Sequence, residues 1–382
     1  MNLNERRLAQ VFTAMCEIDS PSRQEGALAL FLRNIFADEF PDAQVWEDDS
    51  ACLTGSDTGN LVVHVPGTLA GPPLFFNCHL DTVEPGCGVQ VVRQGSKFFS
   101  AGETILGGDD KAGIAILLEA LRFLKESRQP HLPVDLVFTT CEEVGLLGAK
   151  ALDTSLLRAR QGYALDSSGI DLVITGAPAA VRFTLTISGA AAHAGLHPER
   201  GINAIQLAGR AIADLPLGRL DEESTANIGI IAGGSATNII PDRVRLEGEV
   251  RSHSDLKLAA YTDHLIDSVK KSVESWLPAP EAQIPEGVCP GLVVHVSQEY
   301  PAMRLSMEDQ VVSRTQEAAA RLGRTLRYER AGGGSDANIF NSKALTTAII
   351  GIGMDHVHSP AENIDIHDML RTTELIVSIV TC

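Results

Sequence analysis

Several things are scarce in this chain, and each scarcity excludes something. Basic residues are outnumbered, 31 Lys and Arg against 49 Asp and Glu, for a formal net charge of −18. Nucleic-acid phosphate is repelled by that balance, as is an anionic membrane surface, so neither is an expected partner. Long apolar runs are missing. Nowhere do eighteen apolar residues follow one another, which argues against a transmembrane helix. The opening stretch "MNLNERRLAQ" has no apolar run behind its charges and does not read as a secretory signal. Cysteine is sparse, odd in number and without a CxxC pair: Cys16, Cys52, Cys78, Cys87, Cys141, Cys289 and Cys382. That pattern argues against a disulfide framework, and a reducing cytoplasm is the expected setting. Aromatic residues make up only 5% of the chain, whereas glycine reaches 34 residues, a balance that suits an α/β enzyme with tight loops. The acidic excess serves solubility, and part of it is available as a carboxylate cluster for cations.

What is present is ordinary globular material, 382 residues at 44% hydrophobic, enough for two domains. Residues 3–16 and 22–36 read as helices, the second opened by a capping box of Ser22 and Glu25. "NLVVHVPG" (60–67) and "PLFFNCH" (73–79) read as strands. The clearest helix covers 109–126, where Ile114, Leu117, Leu118, Leu121 and Leu124 recur at helical spacing. "VDLVFTT" (134–140) and "GYALD" (162–166) are two further strands. Strands alternating with helices predict a largely parallel sheet covered on both faces. After Pro178 the texture changes to a long alternating strand, a helix near 201–214, strands near 224–232 and 243–252, a helix over 255–276 and a strand near 291–299. That order, βαββαβ, is a compact layered unit. The α/β texture returns from about residue 300, with a helix at 308–322, "TLRYE", a Gly loop, a helix and "LTTAIIGIG". The expectation is a discontinuous domain, 1–177 with 300–382, interrupted by an inserted domain at 178–299.

The polar residues cluster where apolar runs stop. "FFNCHLDTVEPG" (75–86) delivers His79 and Asp81, and residues two apart in an extended chain face the same side. "VDLVFTTCEE" delivers Glu142 and Glu143, "GYALD" delivers Asp166, and "AIIGIGMDHVHS" delivers Asp355, His356 and His358. "LGGDDKAG" sets Asp109 and Asp110 at a helix start. Singly, each has a commonplace reading: a solvated Glu pair, acids at a helix N-terminus, a surface His. Together they fall where open α/β sheets bind ligands, beyond the carboxyl ends of the strands. Buried carboxylates must be paired or coordinate metal, and a mixed His/carboxylate set suits Zn²⁺, Mn²⁺ or Co²⁺.

"HLDTV", "GGDDKAG", "TCEEVGLLGA", "YALDSS" and "HSPAE", in that order and spacing, resemble the di-zinc peptidase T / aminoacylase / carboxypeptidase G superfamily, with "TILGGDDKAGIA" similar to the peptidase T-like branch. The resemblance implies a phosphorylase/hydrolase-like three-layer catalytic domain with an inserted ferredoxin-like lid and dimerisation domain. It implies two Zn²⁺ ions, with Co²⁺ or Mn²⁺ as alternatives. His79 and Asp166 would hold one ion and Glu143 and His358 the other. Asp109 would bridge them, joined to Asp110 by a cis peptide. Glu142 would be the general base. Asp81 would hold the ring of His79.

For substrate, the resemblance implies that His193, in "SGAAAHAG", helps stabilise the oxyanion, in dimeric members at the partner's site. Asn238, in "SATNIIPDR", and Arg251, in "EVRSHS", would contact the substrate backbone or its carboxylate. Gly333 would belong to a substrate-facing loop. "GGGSDAN" (332–338) lacks the GKS/T ending of a phosphate loop. Peptidase T carries an Arg directly before its Gly pair, whereas here Ala331 separates Arg330 from the glycines. The expected activity is removal of the N-terminal residue from short peptides by a two-metal aminopeptidase, with a homodimer through the lid domain. The alternatives are an N-acyl-amino-acid amidohydrolase or carboxypeptidase with the same core, and a metal-binding interaction protein without catalysis.

Overall fold

The 74–79 strand shows how the main sheet is built. All six residues of Leu74–His79 are buried, and they alternate between two faces. Phe76 and Cys78 belong to the same apolar core as Leu117 and Leu121 of helix Gly108–Ser127. Phe75 points the other way and meets Phe340 edge-on at 5.6 Å. His79 shares the face of Phe75 and Asn77. The computed structural model describes residues 1–382, which divide into two units, Met1–Ala177 with Met303–Cys382, and Pro178–Ala302.

In the first unit the sheet runs Gln44–Glu47, Leu61–Val65, Val134–Thr139, Leu74–His79, Gln161–Ala164, Thr346–Ile350, Leu172–Ala177, Met303–Arg304, with Arg327–Arg330 also paired to Leu172–Ala177. Only its centre is uniformly parallel: the 134–139, 74–79, 161–164 and 346–350 strands run together. Both flanks contain antiparallel pairs, such as Leu61–Val65 against Val134–Thr139 and Thr346–Ile350 against Leu172–Ala177. The largely parallel sheet expected from the sequence is therefore a mixed one. Helices Glu5–Cys16, Gly26–Glu39, Gly108–Ser127, Gln310–Arg321 and Ile366–Val380 contribute to the core on the Phe76 side. The shorter Leu147–Ala151 and Asp336–Ser342 pack together, the latter against the Phe75 side. A small sheet of Val91–Gln94, Lys97–Ser100 and Asn363–Asp365 completes the unit.

Two local expectations are corrected. The capping box does not form. The helix begins at Gly26, whose amide donates to Asp57 Oδ1 at 2.8 Å; Glu25 gives it no side-chain cap, because Ser22 donates to Asp81 and Glu25 accepts from Arg23, Ser56 and Cys141. The long helix is not regular from Asp109. Asp109 and Asp110 have non-helical backbone angles, and the bond between them is cis. That helix approaches the sheet closely at Gly113, where a Cβ would lie 2.7 Å from Cys78 Sγ and 3.0 Å from the Leu165 carbonyl.

The second unit is an antiparallel sheet in the order Ser224–Gly233, Arg243–Ser252, Ala179–Ser188, Gly291–Tyr300, with a short Gly218–Arg219 ladder at one edge. Helices Ala204–Ala213 and Asp255–Glu274 close one face around Phe183, Leu185, Leu207, Leu246 and Leu265. This is the βαββαβ order read from the sequence, with its first and third strands at the centre. No helix of the chain is long and apolar enough to cross a membrane.

Candidate metal centre

The four parallel strands end at one edge of the sheet, and the chemistry collects there. His79 closes its strand. Glu142 and Glu143 follow Thr139, Asp166 follows Ala164, and the 355–358 loop follows Ile350. The kinked start of the long helix adds Asp109. A cavity of about 240 Å³ is lined by His79, Asp109, Glu142, Glu143, Asp166 and His358 on its polar side. Ile174, Ile349, Met354 and Val357 are among its apolar lining.

Asp109 stands between two imidazoles. Its Oδ1 is 3.1 Å from His79 Nε2 and its Oδ2 is 3.3 Å from His358 Nε2. His358 Nε2 also faces Glu143 Oε1 at 2.9 Å. Potential donor atoms of His79, Asp109 and Asp166 lie within 4.8 Å of one another, as do those of Asp109, Glu143 and His358. A third group joins His79, Glu142 and Glu143.

The ring of His79 carries the test of whether cations fit. Its Nδ1 is 2.9 Å from the Asp81 backbone carbonyl. A carbonyl oxygen can only accept, so Nδ1 carries a proton. In the neutral ring, Nε2 then presents a lone pair to the Asp109 carboxylate. Two acceptors at 3.1 Å require a proton or a cation between them. The charges say the same. Burial favours the neutral His79 ring, but Asp109 and Asp81 outweigh it and raise the pKa. Hydrogen bonds to Asp109 and Glu143, against a smaller effect of burial, raise His358 to about 10. Burial pushes Asp166 and Glu142 well above the usual carboxylate range, and neighbouring acids add to it. Four carboxyl groups around two imidazoles are a donor set that divalent cations fit.

Asp81 orients His79 differently from the expectation. The strand ends at His79, and the ring is bonded by the backbone carbonyl of Asp81. The carboxylate stands 3.6 Å from Nδ1. It instead accepts the Glu142 and Glu143 amides at 2.9 and 3.1 Å and the Ser22 hydroxyl at 2.6 Å. Asp355 and His356 are exposed and pair with each other.

The remaining sequence candidates fall in three places. Gly333 lines the cavity together with Gly334 and Ser335; Arg330 ends the 327–330 strand and does not. In the second unit, His193 and Asn238 are brought together, because Ala192–His193 pairs with Ile239–Ile240 and the Ala194 amide donates to the Asn238 carbonyl. His193 is exposed, and its Nδ1 accepts from the Gly195 and Leu196 amides. Arg251 forms a two-pronged pair with Glu249 at 2.9 and 3.0 Å.

Three buried acids near the centre escaped the sequence reading. Glu362, in "HSPAE", accepts the Leu106, Gly107 and Asp109 amides at 2.8, 2.9 and 3.0 Å. It thereby ties the segment after His358 to the Asp109 turn. Asp336 accepts the Thr139 hydroxyl at 2.5 Å, while its Oδ1 has no partner. Glu25 accepts the Cys141 amide. The available signals were the final Glu of "HSPAE" and the Asp of "GGGSDAN"; Glu25 had none beyond its capping-box spacing.

Comparison with known proteins adds to this geometry. The model of Peptidase family M20/M25/M40 matches residues 75–381. A protein of Bacillus subtilis (strain 168), YqjE, is 38% identical over 379 residues, covering 99% of this chain and 98% of its own. The crystal structure of aminopeptidase PepT from Bacillus cereus ATCC 10987 superposes with a TM-score of 0.87 at 36% identity, over 99% of this chain and 98% of that one. That of a tripeptidase from Staphylococcus aureus subsp. aureus Mu50 gives 0.90 at 34% identity, with the same coverage.

Proposed function

We propose that this chain, which belongs to Peptidase family M20/M25/M40, is a two-metal aminopeptidase that removes the N-terminal residue from short peptides. It is a metallopeptidase, a hydrolase of peptide bonds. The observation that carries the two-metal reading is Asp109, whose two oxygens face imidazoles from a strand end and from the 355–358 loop. In this reading His79, Asp109 and Asp166 hold one ion, and Asp109, Glu143 and His358 the other. The donor set favours Zn²⁺, with Co²⁺ or Mn²⁺ as alternatives. Divalent ions there supply electrophilic polarisation of the scissile carbonyl and activation of water.

The chain's own groups do the rest. Glu143 is engaged with His358, whereas Glu142 is bonded to neither imidazole through its side chain and lines the same cavity. That placement supports Glu142 as the general base, taking the proton of the attacking water and passing it to the leaving amine. Burial raises its proton affinity, which favours holding that proton between the two steps; a cation beside it opposes the shift. The cavity's apolar lining residues, Ile174, Ile349, Met354 and Val357, limit bulk water around the bound substrate. Gly333 offers backbone to the substrate. Arg330 and Arg251 are the candidates for its carboxylate, Asn238 for its backbone and His193 for the oxyanion. Whole-length similarity to a tripeptidase and an aminopeptidase supports the choice of a free amine end. The exposed strand Gly291–Tyr300, with Val293 and Val296 outward, supports a homodimer through the second unit. Seven unpaired cysteines support a reducing, cytoplasmic setting.

The test is turnover of the zinc-loaded protein on a matched panel: a free tripeptide, its N-acetylated form, its C-terminal amide and an N-acyl amino acid. Cleavage of the free tripeptide, blocked by acetylation, is expected. Cleavage of the acylated substrates instead would make the protein a deacylase or carboxypeptidase. Bound zinc with no turnover on any of them would make it a non-catalytic binding protein.

A further inference from the structure

Four consecutive backbone amides precede and include the Glu142–Glu143 pair, and all four are held by side chains from other segments. The Thr140 amide donates to Asn60 Oδ1 at 3.1 Å and the Cys141 amide to Glu25 Oε1 at 2.9 Å. The Glu142 and Glu143 amides both donate to Asp81. The turn they define is sharp: Cys141, which is not glycine, has φ of 54°. A turn in that region needs external bonds to persist.

Two of the acceptors are tied together by one stretch of chain, residues 20–25. Ser20 donates to the Leu80 carbonyl at 2.9 Å and accepts the Thr82 amide at 2.9 Å. Ser22 donates to Asp81 Oδ2. Glu25 then reaches the Cys141 amide, with its other oxygen accepting the Ser56 hydroxyl at 2.5 Å. Glu25 is fully buried, so an ionised carboxylate there is costly unless its bonds are kept. The segment is a strap across both the His79–Asp81 turn and the Cys141–Glu143 turn. It lies outside residues 75–381, which the family model matches.

We propose that Glu25 is a positioning residue for Glu142, fixing through the Cys141 amide the direction in which the Glu142 side chain enters the cavity. It touches no reacting atom. The role rests on the reading of Glu142 as general base. Removing the carboxylate leaves the Cys141 amide without its acceptor and lets the turn relax. A proton acceptor displaced by about 1 Å loses up to a hundredfold in rate while binding survives. Gln at this position keeps an oxygen for the Cys141 amide and offers Ser56 an amide in place of the second oxygen.

The experiment compares the zinc-loaded wild type with Glu25→Ala, Glu25→Gln and Glu142→Gln. Leu32→Ala, in the core of the adjacent helix, controls for lost stability alone. Readouts are kcat and KM on whichever panel substrate the wild type cleaves, zinc per chain, and amide hydrogen exchange over residues 140–143. For Glu25→Ala, kcat is expected to fall about tenfold to a hundredfold, with KM and zinc within twofold and faster exchange at 141–143. Glu25→Gln restores most of the rate, and Leu32→Ala lowers the melting temperature with kcat unchanged. An unchanged kcat in Glu25→Ala, or a loss explained by zinc, overturns the proposal. If Glu142→Gln keeps full turnover, the base reading itself falls and the proposal falls with it. An inactive Glu142→Gln beside a fully active Glu25→Ala isolates the failure to Glu25. Should Glu25→Ala not fold, Ser56→Ala carries the test: a smaller fall in kcat at constant KM supports the positioning role, and an unchanged kcat overturns it.

Discussion

At the scale of single residues, the proposed centre assigns His79, Asp109, Glu143, Asp166 and His358 to holding cations and Glu142 to moving protons, and each assignment can be tested. Glu142→Gln removes a proton acceptor and leaves its neighbours in place. It should lower kcat by about 10²- to 10⁴-fold with zinc per chain unchanged; retained turnover would refute the assignment. Asp109→Ala removes the carboxylate common to the His79–Asp109–Asp166 and Asp109–Glu143–His358 groups. Zinc per chain should fall below that of the wild type, and unchanged stoichiometry would show that Asp109 does not bridge. Asp336 makes a different prediction. Burial pushes its carboxyl up to about 6. The folded state therefore holds the proton more tightly than the unfolded chain. The resulting stability is fully present below the unfolded value near 4 and is lost as pH rises through about 6. The effect is on the order of 3 kcal/mol at most. In EDTA, Asp336→Asn should lose less stability than the wild type between those pH values; parallel melting curves would contradict it. His79, Glu142, Glu143, Asp166 and His358 were legible because each follows an apolar run of the central sheet, and Asp109 because "GGDDKAG" opens the clearest helix. The long-range bonds of Glu25 and Asp336 were not, because they reach segments far away in sequence and no local pattern records such a bond.

At the scale of elements, the central layer was legible wherever apolar periodicity was strong, as in the 74–79 and 134–139 strands and the 108–127 helix. Pairing direction was not. The 61–65 strand carries the same β-branched signature as its neighbours yet runs antiparallel to Val134–Thr139, because direction is set by partners distant in sequence rather than by composition. The helix start misled for a related reason. Acids at a helix N-terminus are a common dipole pattern, but here the first regular turn begins only after Asp110. Gly113 sets the distance between that helix and the 74–79 strand. An added methyl would meet Cys78 Sγ, Asp110 Oδ1 at 2.4 Å and the Leu165 carbonyl. Gly113→Ala should cost about 1–3 kcal/mol by overpacking and lower zinc affinity by moving Asp109. A melting temperature equal to the wild type's would show that the contact is slack.

At the scale of the whole molecule, the two units have separate apolar cores. Residues 178–302 should fold alone with a cooperative thermal transition; a non-cooperative melt of that fragment would show that its core is insufficient. Metal should act on one unit only. Free zinc at a hundred times its dissociation constant stabilises the unit that binds it by about 2.7 kcal/mol, so calorimetry should show one transition moving and the other fixed. Both transitions moving together would mean that the units unfold as one. The insertion also has a consequence in time. His79, Asp109, Glu143 and Asp166 are all synthesised before the second unit, and His358 and Glu362 only after it. At ordinary elongation rates roughly 10–40 s separate Asp166 from His358. Under the proposed assignment, a nascent chain lacks its second imidazole and should stay chemically mute toward the peptides around it until the ribosome has passed the 355–358 loop.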